Sequence, residues 1–595
     1  MMCQRIGIPP ISTIGLGRTD VSSPSRVPRP PARITVRIAT PRHHFSTMTY
    51  PSPSARKPDG DSWPQRGVLL LILLLAAGLR VRGIGFGLPA LNDPDEPLFM
   101  MKAVEMLQNH SLNPGWFGHP ATITLYCLAL VSLAVGGIGV ATGRYMDSDA
   151  FVSAVYADPT ILFLPARLFF AACGVACVYL TWRLGRRIGG AQTGLIAAAF
   201  LAVNAIHIEY SQVIRTDVQV SLFMLLCLSA TIAIAENGRL RDYLWAGIFV
   251  GLGCATKWPA AVIALSPVAA GLWRIYRGSS DAGKLAGFVG SAIATLFVAS
   301  PFLLLDYPTV IQNLTREARP MHLGATGGGF LANLAWYARG PLTASFGAAG
   351  LALAGLGTVV LALRNRVAAI ALLPGVAGLC LLLCMQALRW ERWLIPLLPF
   401  AAIAAGYALR MFAEMLRPRI DPAVRFLPPA AALLLMGPML AAAQSRAVAR
   451  ANDTRQIASA WIRSHVPPGS SILVEHAALD LVSGPWKILF PLGSAGCVDA
   501  RAMLTRRVGY GEVEKLRTGA PIVDLGNVDA GRIDGCRARF AILVHYDRYR
   551  DARAQYPSQW LRYARLTQGS ILRSVITPAN GLRAGPTVTI FERAP

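Results

Sequence analysis

The sequence predicts an all-α polytopic membrane protein with a small α/β domain at its C-terminal end. Three observations carry that prediction. Only 15% of the 595 residues are charged while 53% are hydrophobic, against roughly 25% charged in soluble proteins. Apolar stretches near membrane-spanning length recur from Gly67 to residue 444. After residue 445, charged residues return and short β-rich runs replace the long apolar ones. The mean hydropathy of +0.44 agrees. A formal charge of +25, from 57 Lys+Arg against 32 Asp+Glu, ordinarily raises nucleic acid as a partner. Here the Arg residues punctuate apolar runs instead of forming one solvated face. Neither a soluble enzyme nor a nucleic-acid binder is expected.

Residues 1–65 form a separate region, with eleven Pro and nine Lys+Arg against three Asp. Such a segment buries too little surface to offset its ordering entropy. It reads either as a disordered basic tail or as sequence upstream of the true start, with Met48 as a plausible initiator.

The transmembrane region is expected over 66–445. Twelve apolar stretches fall at about 67–86, 121–142, 161–182, 190–208, 218–235, 243–256, 258–273, 285–305, 343–363, 367–388, 393–413 and 426–444. Between them lie basic turns at Arg183–Arg187, Glu236–Asp242, Arg274–Lys284, Arg364–Arg366 and Arg410–Arg425. The positive-inside rule puts these in the cytoplasm. Residues 209–217, 257, 306–342, 389–392 and everything after 445 then face outward. The first spans break this parity, because counting back from Arg183 puts Arg66 outside. Either one early segment does not cross or a further one is hidden, and 11–13 spans are expected.

Residues 446–595 read as a soluble extracytoplasmic domain with strands at Ser471–Val474, Phe540–Val544 and Thr587–Phe591. Seven Cys, from Cys127 to Cys384, sit in apolar segments as small hydrophobes. Cys497 and Cys536 lie in the outer domain, where the compartment permits a disulfide without requiring one.

Charges at the membrane face are costly and are therefore the first functional candidates. Asn92–Pro97 places Asp93, Asp95 and Glu96 within four residues, stiffened by two Pro. Such a cluster can act as a general base or hold a divalent cation, or be a turn-forming acidic loop. His119 precedes an apolar helix and can meet a phosphate or a metal, although a lone His is more often structural. Arg215 and Asp217 open another span. Asp217 suits a helix N-terminus whatever its function, and Arg215 can pair with it or meet a phosphate. Lys257 can snorkel or hold a lipid phosphate. Arg392, within Arg389–Trp393, belongs to an aromatic belt or to a phosphate clamp. Glu317 and His322 lie in the long outer loop 306–342, of a length typical of lids and binding loops. Jointly these charges converge on one membrane face. They suit a reactant with a charged head and a lipid tail, such as a polyprenyl-phosphate sugar.

Five short motifs, DPDEPLF, HPxxxxLY, YSQVIRTD, GLGCATKW and RWERWLIPLLPF, resemble in order those of one family. That family is the dolichyl-phosphate-mannose–protein mannosyltransferase superfamily (glycosyltransferase family 39), which includes the bacterial enzyme adding aminoarabinose to lipid A. The resemblance covers about residues 67–445. It implies a C-type glycosyltransferase fold and an inverting transfer from a polyprenyl-phosphate-linked sugar donor. Carried over, Asp95 matches the catalytic acidic residue of the first outer loop, Glu96 its neighbour, and Asp217 the Asp of a later outer motif. His119, Arg215, Lys257 and Arg392 are assigned to the donor phosphate. Glu317 and His322 are looser loop contacts. Gly118 stands where the aminoarabinose enzyme has an acidic residue that helps bind metal, so a divalent metal is left open and no other cofactor is implied.

The leading expectation is an integral glycosyltransferase of the cell (inner) membrane, active on the extracytoplasmic side toward an envelope acceptor. A transporter or lipid flippase is the alternative, with the same charges lining a path. It would place ionisable groups near mid-membrane. A non-catalytic assembly factor is the third reading, and it would tolerate loss of every carboxylate named.

Overall fold

A computed structural model describes residues 63–317, 320–416, 426–476, 479–506, 510–517 and 523–593. The basic Pro-rich tail, apart from its last three residues, lies outside the described residues, as do residues 318–319 of the long loop 306–342 and most of the turn at Arg410–Arg425. Those last three tail residues already belong to the first helix, α1 (Trp63–Val81). Its outward face carries Leu70, Leu71 and Leu74, all exposed. Apolar side chains turned outward along a helix match hydrocarbon, not water.

Helices α2 (Glu96–Gln108), α3 (Thr122–Ala141) and α4 (Ser148–Ala157) follow. The α4 N-terminus is capped by Asp147, whose carboxylate accepts from the Ala150 amide at 2.8 Å. Helix α5 (Thr160–Ala202) has 43 residues and folds back at Gly190, where φ is 80° and ψ 178°. Glycine tolerates this backbone and L side chains resist it. Its two arms are the expected spans 161–182 and 190–208.

After the short α6 (Ala205–Ser211) come α7 (Thr216–Asn237), α8 (Leu240–Thr256), α9 (Leu265–Tyr276) and α10 (Ala282–Ala299). Gly247 and Gly251 let α8 meet α10 backbone to backbone. A Cβ there would fall 2.4 Å from the Phe288 carbonyl oxygen and 2.6 Å from that of Ala292, the close approach that small residues four apart allow. The long connection between α10 and the next span carries α11 (Phe302–Leu305), α12 (Tyr307–Glu317) and α13 (Phe330–Tyr337). Four spans close the bundle: α14 (Thr343–Arg364), α15 (Arg366–Met385), α16 (Leu398–Leu416) and α17 (Leu427–Ala451). The core lies among α5, α7 and α16, with Phe200, Leu225 and Ile403 buried there.

Ten helices among the described residues are long and apolar enough to cross a membrane. One of these is the folded α5, and α8 falls just short at 17 residues. Every apolar stretch expected from the sequence is thus a helix. α3 differs from the others in its packing. Leu125, Leu128 and Ala129 meet Leu162, Phe163, Ala166 and Phe170 in the first three turns of α5. The segment just after α1 already reaches those turns, since the carbonyls of Ile84 and Phe86 accept from Arg167 at 2.7 and 2.8 Å. α3 therefore packs beyond the end of α1, not alongside it.

The last span runs to Ala451, six residues past the expected boundary at 445. After a two-residue link α18 (Thr454–His465) begins, capped by Asp453 through the Arg455 amide at 2.9 Å. It leads into strands β1 (Ser471–Val474), β2 (Lys487–Pro491), β3 (Cys497–Asp499), β4 (Phe540–Leu543), β5 (Ser570–Ile576) and β6 (Val588–Arg593). They form one six-stranded sheet in the order β3-β2-β1-β4-β6-β5. The central strands β1 and β4 are parallel, with Ile472 opposite Phe540. Both are nearly continuous apolar runs buried on both faces. The three expected strands appear as β1, β4 and β6, while β2, β3 and β5 were not anticipated. Cys497 and Cys536 are joined in a disulfide.

Candidate functional site

Beyond α1 the chain turns through residues 82–95 before entering α2. Asp93 shapes the last part of the turn, accepting the Asp95 amide at 2.9 Å as Asx turns do. Pro97 in the first turn of α2 presets the helical entry. Asp93 and Asp95 then present their carboxylates to one guanidinium. Arg215 Nη2 and Nε donate to Asp93 at 2.8 and 3.1 Å, and Nη1 donates to Asp95. Arg392 Nη2 stands 3.9 Å from Asp95 on another side. Burial alone would raise the Asp95 carboxyl, but Arg215 and then Arg392 hold it well below the usual carboxylate range.

Glu96 is oriented away from its neighbour. Its two oxygens accept from Arg167 Nε and Nη2 at 2.8 and 2.6 Å, and the Ile214 amide adds a third bond at 3.0 Å. Both side chains of this pair are fully buried. The sequence grouped Glu96 with the catalytic acids; the structure gives it the geometry of an anchor between the loop, α5 and the approach to α7.

A second ion pair closes the far side. Asp217 lies in the first turn of α7, where the helix dipole favours a carboxylate, and Lys257 follows α8. Lys257 Nζ donates to Asp217 at 2.5 Å, with both side chains buried. The chain at His119 is stitched to Lys257: the Trp258 amide donates to the His119 carbonyl at 2.8 Å, and Pro120 bridges to Lys257. The imidazole packs against Trp116 and Phe99, with ring centroids 5.3 and 5.9 Å away. Its Nδ1 is buried and has no hydrogen-bond partner among the described residues. Burial first, then Lys257, pushes its pKa down to about 3, so the ring is neutral near pH 7. Lys257, Asp217, Arg392 and Asp95 all lie within electrostatic reach of it.

Six of the sequence candidates, Asp95, His119, Arg215, Asp217, Lys257 and Arg392, thus meet at one end of the helix bundle. His322 lies one ring further out. It packs edge-on against Trp390 at 5.1 Å, and Arg392 covers the same indole at 4.4 Å. Glu317, at the end of α12, comes beside Gly118, its Cγ 3.1 Å from where a Cβ there would stand.

Asp93, a member of the acidic cluster marked in the sequence, shares Arg215 with Asp95. Another residue near the site carries no sequence signal of its own. Arg446 near the end of α17 donates to Glu209 at 2.8 Å and to Glu391 at 3.0 Å. In the sequence it reads as an ordinary basic residue after an apolar run. Its partners are 237 and 55 residues away, a pairing that chain order does not reveal.

No group of three or more His, Cys, Asp or Glu among the described residues is placed to hold a metal. The two nearest carboxylates in the first loop, Asp93 and Asp95, are engaged by Arg215. The residues present do not fit a divalent-metal site.

The sequence model of the family described as dolichyl-phosphate-mannose-protein mannosyltransferase matches residues 161–304. That stretch holds Arg215, Asp217 and Lys257, and excludes Asp95, His119 and Arg392. No curated protein sequence matches the chain significantly. Among solved structures, ArnT from Cupriavidus metallidurans in the apo state superposes with a TM-score of 0.50 at 14% identity, covering 89% of this chain and 100% of that one. The same protein bound to undecaprenyl phosphate gives a TM-score of 0.48 at 13% identity, covering 89% and 98%. The oligosaccharyltransferase of Archaeoglobus fulgidus in the apo form gives 0.47 at 13% identity, covering 84% and 72%. The chain therefore has the C-type glycosyltransferase fold, and its residues 161–304 carry the sequence pattern of the mannosyltransferase family expected from its motifs.

Proposed function

We propose that the protein transfers a sugar from a polyprenyl-phosphate donor to an acceptor outside the cytoplasm, by a single inverting displacement. The observation that carries this reading is the meeting of Asp95 with Arg215 and Arg392 opposite the Asp217–Lys257 pair. A carboxylate facing cations at the end of an apolar bundle matches an amphiphilic donor and a hydroxyl or amine acceptor. The mannosyltransferase pattern over 161–304 supports the same chemistry.

In this mechanism Asp95 orients the acceptor and takes its proton as the nucleophile attacks the anomeric carbon. The C–O bond to the lipid phosphate breaks on the opposite face, which inverts the configuration. Arg392 and Lys257 stabilise the departing phosphate. Arg215 aligns the two carboxylates of the first loop, and neutral His119 offers a hydrogen bond without a charge. Glu96 anchors the loop. Sugar and acceptor are not specified by these groups.

The site is proposed to face the extracytoplasmic side of the cell membrane. With α5 counted as two crossings, α8 included and α3 set aside as a helix beyond the end of α1, eleven crossings remain. An odd number puts Arg66 with the other cytoplasmic basic turns and residues 452–593 on the opposite face, as the positive-inside rule requires.

The test is to supply purified protein with radiolabelled polyprenyl-phosphate sugars and candidate acceptors. Consumption of a donor by the wild type and its loss in Asp95→Asn, with membrane insertion unchanged, is the expected result. Near wild-type turnover in that variant would overturn the role of Asp95.

A further inference from the structure

The acidic loop that carries Asp95 is gripped from two directions, and the second grip comes from the outer domain. Arg455, in the first turn of α18, is 9% exposed. Asp453 sets its guanidinium by accepting Nε at 2.8 Å and Nη2 at 2.7 Å. The remaining nitrogen, Nη1, donates to the backbone carbonyl of Asn92 at 2.8 Å. The next residue, Gln456, donates from Nε2 to the Asn92 side-chain oxygen at 2.9 Å. Asn92 is itself buried, at 4% exposure, and its side chain lies over Gly87, where a Cβ would come within 2.3 Å of it.

Asn92 immediately precedes Asp93, whose carboxylate holds both Arg215 and the Asp95 amide. Glu96, on the other side of Asp95, is fixed by Arg167 and the Ile214 amide. The four residues that carry the acidic cluster are therefore clamped at one end by the membrane bundle and at the other by the outer domain. The junction behind Arg455 is also tied: the Thr454 amide donates to the Ala584 carbonyl, and the Ala584 amide to that of Ala449, at 2.9 and 2.8 Å. These bonds connect α17, α18 and the C-terminal segment before β6.

We infer that Arg455, assisted by Gln456, is a positioning residue for Asp95, and that the outer domain thereby completes the active site. The physical reason is orientation. A backbone carbonyl held by a charged donor fixes the peptide plane leading into Asp93, and an error of about 1 Å at a reacting group can cost on the order of a hundredfold in rate. This inference rests on the proposed role of Asp95, so its test includes a measurement that needs no turnover.

Hydrogen–deuterium exchange of the detergent-solubilised full chain is compared for wild type, Arg455→Ala, Arg455→Lys and Gln456→Met. Faster exchange, by about tenfold, is expected at the Asp95 amide, which donates to Asp93, in Arg455→Ala. A smaller change is expected in the other two variants, with peptides from α7 and α16 unaltered. In the donor-consumption assay Arg455→Ala should lower kcat about tenfold or more with donor KM within about twofold, and Arg455→Lys should restore part of the loss. Unchanged exchange in the loop would overturn the inference, as would a loosened loop with unchanged kcat. Exchange decides the point even if the wild type consumes no donor, a result that counts only against the proposed reaction.

Discussion

Arg167 and Glu96 form a doubly hydrogen-bonded ion pair, at 2.6 and 2.8 Å, in which both side chains are withdrawn from solvent. The pair joins the loop between α1 and α2 to α5 across 71 residues of sequence. Removing one partner strands a buried charge, at a cost of about 3–5 kcal/mol, whereas replacing both with apolar groups of similar volume can be near neutral. Glu96→Ala is therefore expected to lower the thermal stability of the solubilised protein more than the double variant Glu96→Leu with Arg167→Met. Equal losses would show that the charges are not coupled.

The charge state of the site sets a pH prediction. The Asp95 carboxyl is held below the usual range by Arg215 and Arg392, so it stays ionised until pH falls well under about 4. His119, pushed down to about 3, stays neutral over the same interval. A carboxyl with a depressed pKa keeps its charge at all higher pH and loses it only as pH drops through the folded value, whereas an imidazole with a depressed pKa is neutral at all higher pH and gains charge only below that value. Neither group should impose a limb on turnover between roughly pH 5 and 8. Arg215→Gln removes the main attraction on Asp95, raises its pKa and should move the acidic limb of kcat upward. An unmoved limb would show that another group controls it.

Loss of the Cys497–Cys536 disulfide is expected to destabilise the C-terminal sheet domain. The cysteines are 39 residues apart, and closing such a loop stabilises by about 4 kcal/mol in the chain-entropy account. Cys536 is fully buried in the cluster formed with Leu525, Ile533 and Tyr563. The double variant Cys497→Ser with Cys536→Ser should become more protease-sensitive in residues 479–593 while the transmembrane spans stay protected. Unchanged proteolysis would mean that the sheet alone holds the domain.

The placement of α3 predicts which face its far end reaches. Ser148, the first residue of α4, is exposed and directly follows the turn at the far end of α3. If α3 lies beyond the end of α1 and does not cross, Ser148→Cys will react with a membrane-impermeant maleimide added from the outer face of intact cells. Cys173, Cys177, Cys227, Cys254 and Cys384 are buried and should stay silent, while the half-buried Cys127 and the exposed Cys380 are first replaced with Ser. Labelling only after permeabilisation would return α3 to the list of spans.

The sequence by itself determined the class of the protein. Hydrocarbon demands long uninterrupted apolar helices, and that demand is written locally, so each of the twelve stretches was legible from α1 to α17. Strongly placed charges were legible for the same reason: Asp95, Arg215, Asp217, Lys257 and Arg392 stand out because polar residues at span ends are costly. The parity conflict was visible too, but its source was not, since whether α3 lies beside α1 or beyond it depends on what it packs against.

Tertiary structure alone decided how those charges divide into pairs. Asp95 and Glu96 are adjacent in sequence, yet one meets Arg215 and the other Arg167, because the entry into α2 turns their side chains toward different helices. Arg455 reaches Asn92 across 363 residues. Composition and spacing report the cost of a charge at each position; which partner relieves that cost is settled only when the folded chain brings the two together.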